Sequence, residues 1–137
     1  MGLVVGDVIA ERTVHLTRES LVRYAGASGD FNPIHYRDDV AAEVGLPGVL
    51  AHGMLTMGLA SSVVVSALYE SGASDVAKIV DYGVRFTKPV VVDPREGADV
   101  TVVAKVAAVD DETARIDLKV THGETTVLAK AQLRVAL

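Results

Sequence analysis

From Ile79 onward the chain carries four runs whose apolar side chains keep the company of strands rather than helices. "ARIDLKVT" sets Ala114, Ile116, Leu118 and Val120 on one side and Arg115, Asp117 and Lys119 on the other. "VLAKAQLRVAL" repeats the pattern through Val127, Ala129, Ala131, Leu133, Val135 and Leu137. "IVDYGVRF" (Ile79 to Phe86) alternates through Val80, Tyr82, Val84 and Phe86, and "ADVTVVAKVAAV" (Ala98 to Val109) is strand-like but less regular. A period of two marks a strand with one buried face. "DDET" and "HGET" fall between the last three runs, where hairpin turns belong. The second half therefore predicts an antiparallel meander with one apolar face in need of cover.

The cover is available upstream. "MLTMGLASSVVVSALY" (Met54 to Tyr69) is long enough for about four helical turns. Leu55, Leu59, Val63 and Leu68 form one stripe, but Val64, Val65 and Ala67 leave no polar face, so the helix is expected to be buried all round. It falls short of the roughly 20 residues a membrane span needs and contains Thr56, Ser61, Ser62 and Ser66, so no membrane insertion is expected. Ahead of it, an extended start leads to Thr17, an N-cap for a helix with Ser20 completing the capping box, and Gly26 and Gly29 limit how far that helix runs. A second short helix is expected over Asp38 to Val44, ended by Gly45 and Pro47.

A curved antiparallel sheet wrapped around a long buried helix satisfies both halves. The fold class is α+β, one hot-dog domain over residues 1–137. Such a sheet covers only part of the helix, so dimerisation is expected. Composition agrees with this and excludes several functions. The core must be aliphatic, since only 4% of residues are aromatic and Trp is absent. A net charge of −5 without a basic cluster argues against nucleic acid and anionic membranes as partners. There is no cysteine, hence no disulfide, thiolate nucleophile or thiol metal site. The first residues, "MGLVVGDVIAERTVHL", do not read as a signal peptide, and a cytoplasmic location is expected.

The chemistry-bearing stretch is "SGDFNPIH", Ser28 to His35. Pro33 fixes its own φ and biases Asn32 away from helical geometry, which keeps Asp30 and His35 on a loop. Asn32 suits a turn-stabilising role. A carboxylate and an imidazole gripping one water form a general acid–base device. The same residues also read as a capped turn with a packed histidine, and spacing alone leaves both readings open. Asp30, His35, Asp38, Asp39 and His52 include metal-ligand types, but no HExxH-like spacing or closed ligand set appears, so no metal is expected. No phosphate-binding glycine loop or Gly-x-Ser-x-Gly elbow is present, and no other cofactor is expected. His15 and His122 are expected at the surface.

"YAGASGDFNPIHYRDDVAAE" (Tyr24 to Glu43) resembles the signature of the MaoC-like hydratases, the (R)-specific enoyl-CoA hydratase and (3R)-hydroxyacyl-carrier-protein dehydratase group. Tyr24, Gly29, Asp30, Asn32, Pro33, Ile34, His35 and Ala41 match it with no mismatch. "AHGMLTMG" (Ala51 to Gly58) and "VRFTKPV" (Val84 to Val90) resemble two further elements, and the whole is most similar to the HadB-type catalytic subunits. The resemblance implies reversible hydration of trans-2-enoyl thioesters, carried on coenzyme A or an acyl carrier protein. It implies Asp30 and His35 as the catalytic pair, Gly53 as the oxyanion contact and Ser61 as a pocket residue. Ser61 back-bonding to its own helix is the alternative. His52 either orients the loop or lines the pocket. It also implies a homodimer, or a heterodimer with a related hot-dog subunit. Two rivals are a hot-dog thioesterase and a subunit inactive without its partner. Arg37, Arg85 and Lys88 are candidates to meet coenzyme A phosphates or an acidic carrier, and "VVVDPREGAD" is longer than the turn usual in the family, at a dimer edge or a substrate entrance.

Overall fold

The computed structural model describes residues 2–73 and 78–137. Strand β1 (Val8–Leu16) leads into helix α1 (Arg18–Ser28), and a 3-10 turn (Pro33–His35) precedes the short helix α2 (Asp38–Glu43). The long helix α3 (Gly53–Glu70) follows, then strands β2 (Ile79–Phe86), β3 (Ala98–Val109), β4 (Thr113–His122) and β5 (Thr125–Ala136). All strand pairs are antiparallel, in the order β1-β3-β4-β5-β2. This is the hot-dog arrangement expected from the alternation and the apolar helix.

The core is the inward face of the three central strands. Val100, Val102, Ala104 and Val106 of β3, Ala114, Ile116 and Val120 of β4, and Leu133 and Val135 of β5 are fully buried. β3 alternates cleanly in the structure although its sequence reads less regularly, because small Ala98 and Ala104 occupy inward positions beside valines. β5 departs from strict alternation. Lys130 has a left-handed φ of 47°, and the β4–β5 register slips between Leu118–Ala131 and Val120–Leu128. This bulge changes the phase of the strand, so that Val127 and Leu128 are both buried and Ala129 is only half-buried.

Two expectations of burial need correction. Only Thr56, Ala60, Val63, Val64 and Leu68 of α3 are buried, while Met54 and Tyr69 are exposed and Leu55, Leu59 and Val65 are half-buried. The chain's own sheet covers one side of the helix and leaves a second apolar side open. By length and composition the helix could cross a membrane, yet its buried side is part of the core shared with the sheet. β2 is likewise an edge strand. Tyr82 and Val84 are half-buried, but Val80 and Phe86 stay exposed on this strand, which has a sheet neighbour, β5, on one side only.

Helix α1 buries only Leu21 and Ala25, so apolar packing alone anchors it weakly. Its N-terminus is set by the Thr17–Ser20 capping box. Arg18 then forks onto Asp38 of α2 at 2.8 and 3.0 Å, while its Nε donates to the Val92 carbonyl at 2.6 Å. The segment Asp93 to Gly97 is a tight turn, with Asp93 Oδ1 accepting from the amides of Arg95 and Glu96 at 2.8 Å. Gly97 sits at φ 69°, and a Cβ there would lie 2.3 Å from the Leu16 carbonyl, so only glycine fits. This turn packs against the end of β1 rather than bordering the cleft described below.

Candidate active site

Helix α1 stops at Gly29, whose φ of 77° is left-handed and whose N–H caps back to Ala25. Two side-chain turns then shape the loop. Asp30 Oδ1 accepts from the Asn32 amide and Asn32 Oδ1 accepts from the Ile34 amide, both at 3.2 Å. Pro33 starts the 3-10 turn, and the chain delivers His35 inward at its end. Asn32 is thus a cap of this turn and does not border the cleft.

His35 is buried, and its Nδ1 lies 2.6 Å from the Leu50 carbonyl oxygen. A carbonyl only accepts, so Nδ1 is the donor here and Nε2 is the nitrogen left to face Asp30. Nε2 stands 3.9 Å from Asp30 Oδ2, beyond direct hydrogen-bond reach but within the span of one shared water. The two partners differ in exposure. The Asp30 side chain is 52% exposed and that of His35 is 11% exposed.

A cleft of about 250 Å³ opens beside His35. Gly53 and Thr56, on the first turn of α3, form one wall; Phe86 to Val90, together with Val127, form the other. Gly53 is the first residue of α3, so its amide has no acceptor within the helix and points outward with partial positive charge. The Phe86 ring lies over it: a Cβ on Gly53 would stand 2.9 Å from Phe86 Cε1. Asp30 meets His35 from the exposed side and does not itself line the cleft.

Neither His52 nor Ser61 lines this cleft. His52 is 1% exposed and outside the cleft lining. Its ring stacks on His35 with centroids 3.8 Å apart and meets the Tyr24 ring edge-on at 4.7 Å. Its Nε2 lies 3.1 Å from the Asp30 carbonyl oxygen. Burial pushes its imidazole below the ordinary value of 6.5, and charge on His35 would push the same way, against the hydrogen bond to Asp30. Ser61 Oγ donates to the Gly58 carbonyl at 2.8 Å, the back-bonded alternative. Arg37 pairs with Asp39, and of the three basic candidates only Lys88 borders the cleft. His15 and His122 are on the outer face of the sheet, gathered around Asp99 at 2.7 Å each.

Asp30, His35 and His52 each offer a ligand atom within 4.8 Å of the others. The donor set does not converge. With the two rings stacked at 22°, an ion in the plane of one lies well off the plane of the other, and His52 Nε2 already faces a carbonyl.

Three contributors escaped the sequence reading: the Leu50 carbonyl, Thr56 and Phe86. Thr56 was findable, since it follows Gly53 by three residues and so shares its helix face. A backbone carbonyl leaves no sequence signal.

Residues 4–128 match the family model described as "MaoC like domain". The chain belongs to the MaoC-like family. Among its relatives, the (R)-specific enoyl-CoA hydratase of Rhodospirillum rubrum is 30% identical over an alignment of 122 residues that covers 85% of this chain and 82% of that protein. 3-Hydroxyacyl-thioester dehydratase X of Mycobacterium tuberculosis is 37% identical over 84 residues, 61% of this chain; the match spans 27% of that longer protein. A solved "MaoC-like dehydratase" superposes with a TM-score of 0.85 at 33% identity, over 97% of this chain and 40% of that one. Two heteromeric complexes from M. tuberculosis share the fold. A chain of ChsH1–ChsH2 aligns with a TM-score of 0.83 and 22% identity, covering 98% of both chains. One of truncated HadBC, a (3R)-hydroxyacyl-ACP dehydratase, aligns at 0.69 and 20%, covering 92% and 90%.

Proposed function

We propose that this MaoC-like protein catalyses the reversible hydration of trans-2-enoyl thioesters to (3R)-3-hydroxyacyl thioesters, carried on coenzyme A or an acyl carrier protein. The observation that carries the reading is the orientation of His35. Its Nδ1 is committed to Leu50, so Nε2 is the reactive nitrogen, 3.9 Å from Asp30 Oδ2, and His35 lines the same cleft as Gly53, the first residue of α3. The activities for which the R. rubrum and M. tuberculosis relatives are named support the substrate class.

The pair holds one proton between its two groups. In hydration Asp30 takes a proton from the shared water as its oxygen bonds to the β-carbon. Electron density moves onto the thioester oxygen, where the Gly53 amide supplies a hydrogen bond to the developing enolate. Protonated Nε2 of His35 then gives its proton to the α-carbon, and a proton moving from Asp30 to His35 resets the pair. Dehydration reverses every step: His35 removes the α-proton, and the hydroxyl leaves as water with the proton from Asp30. No electrons are exchanged with a cofactor in this scheme.

The open apolar side of α3 and the exposed β2 edge, with Val80 and Phe86, are where a second hot-dog chain, identical or related, would sit. The heteromeric neighbours support such an assembly. The deciding experiment mixes the purified protein with crotonyl-CoA and follows loss of the conjugated enoyl-thioester absorbance. Loss without release of free thiol, absent in D30N and H35Q, is the expected result. Release of thiol would make it a thioesterase. No reaction with short or long enoyl-CoA, or with an enoyl carrier protein, alone or with a partner hot-dog subunit, would overturn the proposal.

A further inference from the structure

Resting on the hydratase reading, we infer that His52 is a positioning residue for the catalytic pair: a neutral ring, protonated on Nε2, that holds the Asp30 main chain by its edge and backs the His35 imidazole with its face. The tautomer follows from the partner. The Asp30 carbonyl can only accept, so the nitrogen 3.1 Å away is the donor. The other nitrogen, Nδ1, is buried and has no hydrogen-bond partner among the described residues. A buried nitrogen left in that state is costly, and an apolar ring would fill the same space without the cost. What histidine adds over an apolar ring is therefore the hydrogen bond to Asp30.

That bond matters because the other bonds that fix Asp30 are all local to its own loop, its N–H donating to Ser28 Oγ at 3.1 Å and its Oδ1 accepting from the Asn32 amide. The Asp30 side chain is half-exposed, held at Oδ1 by the Asn32 amide, and its Oδ2 reaches His35 only across 3.9 Å. Its position depends on where the main chain is held. His52 holds it, stacks at 3.8 Å on the imidazole that shares the proton, and immediately precedes Gly53. One residue thus links the acid, the base and the amide proposed for the enolate. The groups around its ring are Tyr24 at the edge, His35 on the face and the Asp30 carbonyl; burial keeps the ring neutral.

Two substitutions separate positioning from packing. H52Q places an amide N–H where Nε2 stood; H52F keeps the volume and the stack but has no donor. We expect H52F to lose about 10- to 100-fold in kcat, the scale of a small misplacement in a catalytic pair, with KM changed by less than about threefold. H52Q should recover most of that loss. Wild-type kcat in H52F, or H52Q no better than H52F, overturns the inference. Long-range proton–nitrogen spectra of the histidines supply a readout that needs neither turnover nor a stable variant. They should show His52 as the neutral Nε2–H tautomer at pH 7; the Nδ1–H tautomer or a doubly protonated ring overturns the inference. If the wild-type protein hydrates no enoyl thioester, the hydratase reading fails on that assay, while the spectra still decide the state of His52.

Discussion

The Nδ1–H of His35 donates to the Leu50 carbonyl at 2.6 Å, and the Leu50 N–H returns a bond to the Ile34 carbonyl at 3.1 Å. The two segments are thereby strapped together on both sides of the imidazole. One end of the ring serves structure and the other is left for chemistry. Asparagine reproduces the structural end, since its amide nitrogen falls near the place of Nδ1. H35N should therefore fold with nearly the wild-type melting temperature while losing about 10²- to 10⁴-fold in kcat, as expected for a missing general base. H35L should lose the same activity and also leave the Leu50 carbonyl unpartnered, at about 1–3 kcal/mol of stability. Thermal unfolding and enoyl-thioester absorbance measure the two effects separately.

Gly53 faces the Phe86 ring so closely that a methyl group would stand 2.9 Å from Cε1. Phe86 is 56% exposed, so its ring has room to swing aside. G53A should fold with a stability change within about 1 kcal/mol, because the better helix propensity of alanine offsets the crowding. Turnover should fall by about 10²- to 10³-fold, the scale of losing one oxyanion donor, since the methyl group obstructs the approach to the amide. The double variant G53A/F86A distinguishes the causes. Activity that stays low places the fault at the amide; activity restored by removing the ring places it in the displaced phenylalanine.

How much of this was legible in the sequence differs by element. β4 reads directly, because Ala114, Ile116, Leu118 and Val120 alternate without interruption and are all buried. The Thr17–Ser20 box and the Gly29 stop read equally well, since both depend on local backbone chemistry. The exposure of α3 did not read. Hydrophobicity tells that a surface must be covered, not by which chain. The site divides in the same way. The Asn32–Pro33 turn is local, and it delivers Asp30 and His35 as its residues imply. Long-range partners are set by tertiary packing, which is why the Leu50 carbonyl and the stacking of His52 on His35 have no counterpart in spacing.

The bulge in β5 was equally invisible, and it has a measurable signature. Lys130 adopts φ 47°, a left-handed conformation that costs a residue with a Cβ about 1–2 kcal/mol. Glycine removes that steric cost at some expense in chain entropy. K130G should thus be more stable than the wild type by up to about 1 kcal/mol, read from the midpoint of denaturant unfolding. K130V should be less stable, because a β-branched side chain fits the left-handed region worse than lysine does. A stabilised K130V would mean that the bulge relaxes to a regular strand. Since Val127 lines the cleft, that relaxation would also disturb the site.

Acid should destabilise the protein in two separable windows. In the lower one, Asp38, Asp93 and Asp110 all have pKa values below the ordinary carboxylate value of 3.8, through the Arg18 fork, the amides of Glu96 and Arg95, and the amides of Glu112 and Thr113 respectively. Their contribution is complete above the unfolded value and is lost as pH falls through the folded one. In the upper window His52 decides. Burial lowers its folded pKa, so below the unfolded value of 6.5 the unfolded chain binds a proton that the folded chain does not. Stability should therefore begin to decline as pH drops below about 6.5, well before the carboxylates titrate. In H52Q the upper decline should shrink, while the drop near and below pH 4 persists. Denaturant midpoints measured from pH 8 to pH 3 give both windows. An unchanged upper decline in H52Q would assign it to a different histidine.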